Sequence, residues 1–294
     1  MVVTPLAKGR IILNLIDTHL HFFDLDKGDY QWLKPENPPF WPDKPLITKN
    51  WGEHCLTLPS EISLAGYVHI EAGFDNSRFW REIEWLENQN KLPFRSIACI
   101  DLTNTTSKFS KDLNKFLQYQ TIVGARHILG DEASKLLKMS NVQQNLKQLA
   151  EHSLIFELQM PFTNQEAVEQ LDLLLSNTPS LSVIIEHAGF PPQITDDLYT
   201  LWISNIRLIA KHSQVAIKCS GWEMNCREYE SKWALAVIEQ CLFNFGQDRV
   251  MLASNFPLCL LSKSYFDYWQ SFLNLPEKTK TALLNDNARR WYKF

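Results

Sequence analysis

The sequence has 294 residues and a formal net charge of −4, from 29 Lys and Arg against 33 Asp and Glu. It has neither a basic excess nor a stripe of Lys and Arg, so nucleic-acid binding is not expected. No run of about 18 apolar residues is present to cross a bilayer, so no membrane partner is expected either. The composition, 45% apolar and 21% charged, is typical of a soluble globular protein, and the length fits a single domain over residues 1–294.

The N-terminus and the cysteines both favour the cytoplasm. Lys8 and Arg10 precede a short apolar stretch that Asp17 and two histidines interrupt, which makes a poor signal peptide. None of the six cysteines forms a C-x-x-C pair, and several lie in apolar surroundings. Buried, reduced thiols are therefore expected.

Short apolar segments alternate with longer amphipathic ones along the chain. Eight segments are predicted to be strands, at about 14–21, 66–71, 95–101, 121–127, 153–159, 181–187, 213–220 and 248–254. Several are almost continuously apolar and end in a polar residue, as Val183-Ile184-Ile185-Glu186-His187 does. This pattern is typical of strands that are buried on both faces of a parallel sheet.

Between the strands, helical spacing of apolar residues predicts helices at 76–90, 140–152, 165–176, 195–212, 230–245 and 277–292. Eight strands alternating with helices indicate an α/β protein, a (β/α)8 TIM barrel of regular or distorted shape, which needs about 250 residues. An open doubly wound sheet is the alternative. A nucleotide-binding version of that fold would have a Gly-rich turn after the first strand, where His19-Leu20-His21 stands instead.

The predicted connection between the first two strands, residues 22–64, is far longer than an ordinary loop. It is rich in prolines and aromatic residues, among them Trp32. A long insertion at the C-terminal end of a barrel strand is predicted to act as an active-site lid, with Trp32 as a substrate-binding residue. The alternative is a segment that seals the bottom of the barrel or forms an oligomer contact.

Histidines end the first and sixth predicted strands. Asp17, His19 and His21 occupy alternate positions, so they are expected to share one face at the barrel mouth. Two imidazoles so placed can bind one divalent cation, and Asp17 is expected to orient one of them. His187 is predicted to stand on the same rim, whereas its neighbour Glu186 is expected to face the opposite side.

Charged residues end several other predicted strands. Arg126 is expected to bind a substrate carboxylate through two parallel hydrogen bonds, the alternative being an ion pair with a neighbouring acid. Lys218 is a weaker candidate for the same role. Glu71 and Asp101 are candidates for a general base or a ligand. For His69, inside the second strand, the sequence does not separate a packed role from a functional one.

These segments together resemble a known family. Four of them carry most of the resemblance: Asp17-Thr18-His19-Leu20-His21-Phe22-Phe23-Asp24, Gly124-Ala125-Arg126-His127, Glu186-His187-Ala188-Gly189 and Lys218-Cys219-Ser220-Gly221. Their order and spacing are similar to those of the amidohydrolase-2 group, and more narrowly to the TIM-barrel hydrolases that include sugar-acid lactonases and 2-pyrone-4,6-dicarboxylate lactonase. The resemblance covers nearly all of the chain beyond about residue 13.

The resemblance implies a hydrolase that opens a small carboxylated lactone with activated water. It implies a divalent metal, Zn²⁺ or Mn²⁺, held by His19, His21 and His187, although some members of the group work without metal. Arg126 matches an arginine that binds a substrate carboxylate in some members. A small carboxylate or lactone is thus the expected partner, and the oligomeric state is not specified.

The sequence departs from the family pattern at the eighth strand. Many members have Ser-Asp-Trp-Pro there, and the aspartate is both a metal ligand and the proton acceptor; this chain has Ser254-Asn255-Phe256-Pro257. An amide has no basic lone pair at neutral pH. Asn255 is therefore expected to orient the water or donate to the substrate, while His187 or Glu71 takes the proton.

Two other functions fit the same residues. One is decarboxylation of a small unsaturated acid, which other members of the group carry out. The other is a non-catalytic barrel that binds a small molecule and has lost its base on the eighth strand. Release of carbon dioxide would separate decarboxylation from lactone opening. The Asn255→Asp substitution tests the non-catalytic barrel, because it should raise metal content and activity in a decayed site and lower activity in a working one.

Overall fold

The computed structural model describes residues 12–294 and contains one eight-stranded parallel sheet in which each strand pairs with the next in chain order. The strands are β1 Leu13–Leu20, β2 Ile62–Ile70, β3 Phe94–Cys99, β4 Ile122–Ile128, β5 Ile155–Gln159, β6 Val183–Ile185, β7 Val215–Cys219 and β8 Val250–Leu252. The predicted (β/α)8 barrel is confirmed. Much of the N-terminal stretch on which the signal-peptide prediction depends lies outside the described residues.

Helices follow the strands and surround the sheet. They are α1 Trp80–Gln89, α2 Thr106–Phe116, α3 Ala133–Lys138, α4 Ser140–Glu151, α5 Gln165–Asn177, α6 Leu198–Ile209, α7 Trp222–Asn225, α8 Ser231–Phe245, α9 Tyr265–Gln270, α10 Glu277–Thr281 and α11 Asn287–Tyr292. The predicted helix at 277–292 is interrupted by a π-helical turn at Ala282–Asp286. No helix within residues 12–294 is long and apolar enough to cross a membrane.

The apolar side chains of the barrel form two layers. The outer layer lies between the sheet and the helices and contains most of the buried residues. The inner layer fills the barrel with mostly β-branched side chains, among them Ile16, Val68, Ile70, Ile97, Ile155 and Ile184. Strands covered by apolar side chains on both faces account for the continuous apolar runs in the sequence.

The barrel closes between β8 and β1 through a few hydrogen bonds at its mouth. The backbone N–H of Asn255 donates to the carbonyl of His19 at 2.8 Å, and the N–H of His21 donates to the carbonyl of Phe256 at 2.6 Å. Leu20 and Phe256 form an isolated parallel bridge. These bonds place the segment after β8 directly against the H-x-H segment.

The long connection between β1 and β2 packs over the barrel mouth. It contains three short 3-10 helices, Gln31–Leu33, Lys44–Leu46 and Glu53–Cys55. The buried ammonium of Lys44 donates to the carbonyls of Trp32, Lys34 and Asn37 at 2.8–3.0 Å, which ties the segment into one shape. Four of its residues, Phe23, Tyr30, Leu33 and Ile47, form an apolar cluster with Ala72, Phe74 and Leu258 from outside the segment. Whether this segment opens and closes as a lid stays a prediction.

Candidate active site

A cavity of about 580 Å³ lies at the C-terminal end of the barrel strands, where the active sites of this fold are found. The insertion covers one side of it with Trp32, Pro39 and Trp41. The polar residues on its wall include His21, Glu71, Arg126, Gln159, His187 and Asn255. Most of the site residues predicted from the sequence thus meet at one cavity.

His19 and His21 stand side by side at the end of β1. Their Nε2 atoms are 3.2 Å apart. His21 Nδ1 is 2.8 Å from the carbonyl of Ile70, which only accepts, so Nδ1 carries the proton and Nε2 has a lone pair that faces His19 Nε2. Lys218 Nζ donates to His19 Nδ1 at 3.0 Å, which leaves the proton of neutral His19 on Nε2. Burial lowers the pKa of both histidines well below 6.5, so both rings are neutral.

Asp17 does not contact either imidazole. The pairing of β1 with β2 shifts its register between Asp17 and Leu20, and this irregularity breaks the simple alternation of side chains. The carboxylate accepts hydrogen bonds from Ser254 N at 3.0 Å, Ser254 Oγ at 2.5 Å and Tyr265 OH at 3.0 Å. Burial raises the pKa of Asp17 to about 6. The expectation that Asp17 orients a histidine ring was wrong; its carboxylate anchors the residue before Asn255.

His187 follows β6 in a left-handed backbone conformation, with φ 53° and ψ 35°. Its ring centre is 4.7 Å from that of His19, and its Nδ1 is 3.0 Å from Ser220 Oγ. Gly221 leaves room for this ring, since a Cβ at that position would lie 2.4 Å from His187 Nδ1. Burial lowers the pKa of His187 to about 4, so the imidazole is neutral. In the tautomer in which Nδ1 donates to Ser220 Oγ, Nε2 has a lone pair for a ligand or a proton.

Glu186 lies inside the barrel, contrary to the expectation that it faces away. The left-handed turn at His187 lets both consecutive side chains point inward. The Glu186 carboxylate accepts from Arg126 Nη1 at 3.1 Å and lies 3.8 Å from Lys218 Nζ and 3.6 Å from His19 Nδ1. It is fully buried. Glu186 therefore balances two buried cations behind the histidines.

Arg126 lies on the cavity wall with every guanidinium nitrogen already engaged. Nε donates to Glu71 Oε1 at 2.9 Å, and Nη2 donates to the Glu71 carbonyl at 2.8 Å while also lying 2.8 Å from Glu71 Oε1. Nη1 donates to Gln159 Oε1 and Glu186 Oε2, each at 3.1 Å. Burial opposes its charge, but Glu186 and Glu71 together raise the pKa of Arg126 above its usual value. The ion-pair alternative thus describes the arginine in this structure.

Lys218 is fully buried beneath the histidines and is not among the residues that line the cavity. Its Nζ is 2.6 Å from Glu157 Oε2, and Tyr292 OH donates to Glu157 Oε1 at 2.5 Å. The structure therefore places Lys218 against His19 and away from the position of a substrate. Sequence reasoning missed the role of Glu157, although an acid inside a buried strand signals a charged partner nearby.

Asn255 lines the cavity after β8 with a left-handed backbone, φ 60°. Its Nδ2 donates to Glu223 Oε1 at 2.5 Å. Glu223, in the single turn α7, is buried, and its burial raises its pKa to about 7. Sequence reasoning did not identify Glu223, because nothing in its local pattern indicates a contact with the segment after β8.

The other candidates lie outside this arrangement. His69 Nε2 accepts the backbone N–H of Phe22 at 3.0 Å, so this buried histidine fixes the start of the insertion. Asp101 is exposed and accepts from Thr103 within its own turn.

The family model described as Amidohydrolase matches residues 16–294. The chain belongs to the amidohydrolase family. It is therefore a hydrolase of the TIM-barrel type, as the resemblance implied, and a small-molecule substrate goes with that class.

Curated relatives and solved structures agree with this family. The chain is 27% identical to the uncharacterized protein y4mH of Sinorhizobium fredii, over 95% of this chain and 98% of that one. It is 24% identical to the L-fucono-1,5-lactonase of Burkholderia multivorans, over 94% and 95% of the two chains. Its fold is similar to that of an amidohydrolase from Burkholderia multivorans with bound zinc, with a TM-score of 0.77, 18% identity, and coverage of 95% and 99%.

Proposed function

We propose that this protein hydrolyses a small, uncharged lactone in the cavity at the barrel mouth. The observation that carries the proposal is the convergence of His21, Glu71, His187 and Asn255 on that cavity. Opening a lactone requires a polarised carbonyl, an oriented water and an acceptor for its proton. Similarity to the L-fucono-1,5-lactonase supports the same reaction class.

The residues at the end of β1 and β6 fit a divalent cation. The 3.2 Å between His19 Nε2 and His21 Nε2 is close to the separation of about 3.4 Å expected for two nitrogens on one tetrahedral zinc ion. Ligand atoms of His19, Glu186 and His187 also lie within 4.8 Å of one another. His19, His21 and His187 are the proposed ligands, and binding through His19 Nε2 would release the proton that this nitrogen carries. Glu186 accepts from Arg126 through Oε2, whereas its Oε1 has no hydrogen-bond partner within residues 12–294 and is a further candidate ligand. A bound Zn²⁺ or Mn²⁺ ion supplies Lewis-acid polarisation of the lactone carbonyl.

The protein's own groups position the water and receive its proton. Arg126 holds Glu71 through Oε1, so Glu71 Oε2 is left as the proton acceptor on the cavity wall. Asn255 orients the water as it attacks the carbonyl carbon. The ring C–O bond then breaks, and the leaving oxygen takes a proton to give a hydroxy acid. In a metal-independent reaction, His187 Nε2 is the second candidate acceptor.

The substrate proposed here is uncharged, unlike the carboxylated lactone that the sequence suggested. Arg126 is the only Lys or Arg on the cavity wall among residues 12–294, and its guanidinium is fully engaged by Glu71, Gln159 and Glu186. A substrate carboxylate would lie beside Glu71 with no free Lys or Arg side chain on the cavity wall to pair with it. Trp32 and Trp41 instead offer apolar surface for a sugar-like ring. The lack of a free Lys or Arg on the cavity wall within residues 12–294 likewise disfavours decarboxylation, whose substrate must carry a carboxylate.

Turnover across a panel of neutral sugar lactones and dicarboxylate lactones tests the proposal. The metal-loaded and the chelator-treated protein are compared, and carbon dioxide release is followed with unsaturated acids. We expect hydrolysis of at least one neutral lactone, abolished by Glu71→Gln and unaffected by the exposed control Glu228→Gln. No hydrolysis with or without Zn²⁺ and Mn²⁺ would overturn the proposal, and carbon dioxide release would replace it.

A further inference from the structure

Asn255 and Glu223 form a buried amide–carboxylate pair next to the cavity. The Asn255 Nδ2 to Glu223 Oε1 distance is 2.5 Å, and both side chains belong to residues that are 1% exposed. Asn255 is also anchored through its backbone, which donates to the His19 carbonyl at 2.8 Å. Asn255 is thus held through both its backbone and its side chain.

The pair determines which end of the amide faces the cavity. An ionised carboxylate only accepts hydrogen bonds, so it binds the NH2 group of Asn255 and turns the carbonyl oxygen the other way. Within residues 12–294, the side-chain amide of Asn255 makes one hydrogen bond, and its partner is Glu223. Its Oδ1 is therefore free to accept a hydrogen bond from a water or a substrate hydroxyl at the cavity wall.

The second carboxylate oxygen adds an independent observation. Glu223 Oε2 is buried and has no hydrogen-bond partner within residues 12–294. Leaving such an oxygen unpaired is unfavourable, and a glutamine at this position would avoid the buried charge. An ionised carboxylate at this position only accepts hydrogen bonds, whereas a glutamine could also donate to Asn255.

We propose that Glu223 is a positioning residue of the active site, which fixes Asn255 Oδ1 toward the cavity as a neutral acceptor for the attacking water or a substrate hydroxyl. The activity consequence rests on the proposed lactone hydrolysis, whereas the orientation of the amide does not. The two side-chain types can also be exchanged. In the double variant Asn255→Asp with Glu223→Gln, the glutamine amide on α7 donates to the aspartate, and the second aspartate oxygen faces the cavity.

Kinetics at pH 8 test the role in catalysis. Glu223→Gln can present either a donor or an acceptor to Asn255, so kcat should fall about tenfold while KM changes less than about threefold. Asn255→Asp alone places two carboxylates in contact, and kcat should fall by a similar factor or more. The double variant should recover to within about threefold of the wild type. Glu228→Gln, an exposed change in the same loop, should have no effect.

Two kinetic outcomes overturn the proposal. One is a double variant no more active than Asn255→Asp, with thermal unfolding midpoints that show all variants folded. The other is an Asn255→Asp variant at least as active as the wild type while Glu223 is intact.

Nuclear magnetic resonance of protein labelled with ¹⁵N at asparagine amides tests the orientation without any substrate. The Asn255 signal is assigned by its loss in Asn255→Asp. We expect Glu223→Gln, but not Glu228→Gln, to shift the Asn255 amide protons upfield because the charge-assisted hydrogen bond is lost. An unmoved signal overturns the pair itself. A shifted signal in a protein that hydrolyses no lactone confirms the pair and refutes only the proposed function.

Discussion

Lys218 on β7 donates a hydrogen bond to Nδ1 of His19 on β1 at 3.0 Å, across the interior of the barrel. A cation therefore stands directly behind one of the two paired imidazoles and fixes its tautomer. Glu157 and Glu186 offset the charge of this lysine, at 2.6 and 3.8 Å. A buried ammonium needs such partners, so the acids behind the histidines are part of the arrangement that shapes the site.

Metal binding should require both β1 and β6. We expect the stripped protein to take up one Zn²⁺ per chain, and His19→Asn or His187→Asn to weaken that affinity at least about tenfold. His212→Asn is the matched control, since His212 pairs with Asp172 at 2.7 Å, is not a cavity residue and should leave zinc binding unchanged. Titration with a chromogenic zinc chelator measures these affinities. Equal zinc binding by His19→Asn and the wild type would refute the proposed ligand set.

Arg126 should stabilise the fold through its buried ion pairs with Glu71 and Glu186. Arg126→Met leaves Glu71 and Glu186 without their main buried partner, so the free energy of unfolding should fall by roughly 3–5 kcal/mol. Lys135→Met, which breaks an exposed ion pair with Glu132, should change it by less than about 0.5 kcal/mol. Urea unfolding measures both. If Arg126 bound a substrate carboxylate instead, its loss would raise KM for carboxylated lactones selectively, and such a result contradicts the ion-pair role.

The ion pair between Asp43 of the insertion and Arg227 should help to hold the insertion against the cavity. Asp43 Oδ2 accepts from Arg227 Nε at 2.7 Å, and the guanidinium lies 5.0 Å from the ring centre of Trp41, a cavity residue. Asp43→Asn should raise KM about three- to tenfold and leave kcat within about twofold, because it loosens the wall that contacts the substrate. Lys138→Met, in the exposed pair with Glu166, serves as the control. An unchanged KM would show that this link does not shape the cavity.

The free energy of unfolding should depend on pH through the titration of Glu223. Its pKa is 4.5 when unfolded and about 7 when folded, so the folded state holds an extra proton between these pH values. The free energy of unfolding therefore falls as pH rises through this window. Glutamine does not titrate, so Glu223→Gln lacks this effect. The free energy of unfolding of the variant minus that of the wild type should therefore increase by up to roughly 3 kcal/mol between pH 4.5 and 7. Urea unfolding at several pH values checks this, and a constant difference would contradict it.

Much of the fold follows from the sequence, because buried parallel strands leave an unmistakable apolar pattern. The strand order and the meeting of His21, His187 and Asn255 at one rim are consequences of the barrel topology. Side-chain direction was harder to predict. The alternation rule fails at Asp17, where the register shifts, and at Glu186, where the next residue is left-handed.

Long-range partners account for the remaining differences. Arg126 and Lys218 both end strands as predicted, yet their environments depend on Glu71, Glu157 and Glu186, which come from other strands. The contact of Glu223 with Asn255 joins elements that are 32 residues apart. Local periodicity carries no information about such pairs.

The preference for an uncharged substrate is tested most directly by the specificity for a matched pair of lactones. One is a neutral hexono-1,5-lactone, and the other differs only by a carboxylate in place of the terminal CH2OH group. Because Arg126 is engaged and Glu71 faces the cavity, kcat/KM should favour the neutral lactone by at least about a hundredfold, or about 2.7 kcal/mol. Equal or faster hydrolysis of the carboxylated lactone would contradict the proposed preference for an uncharged substrate.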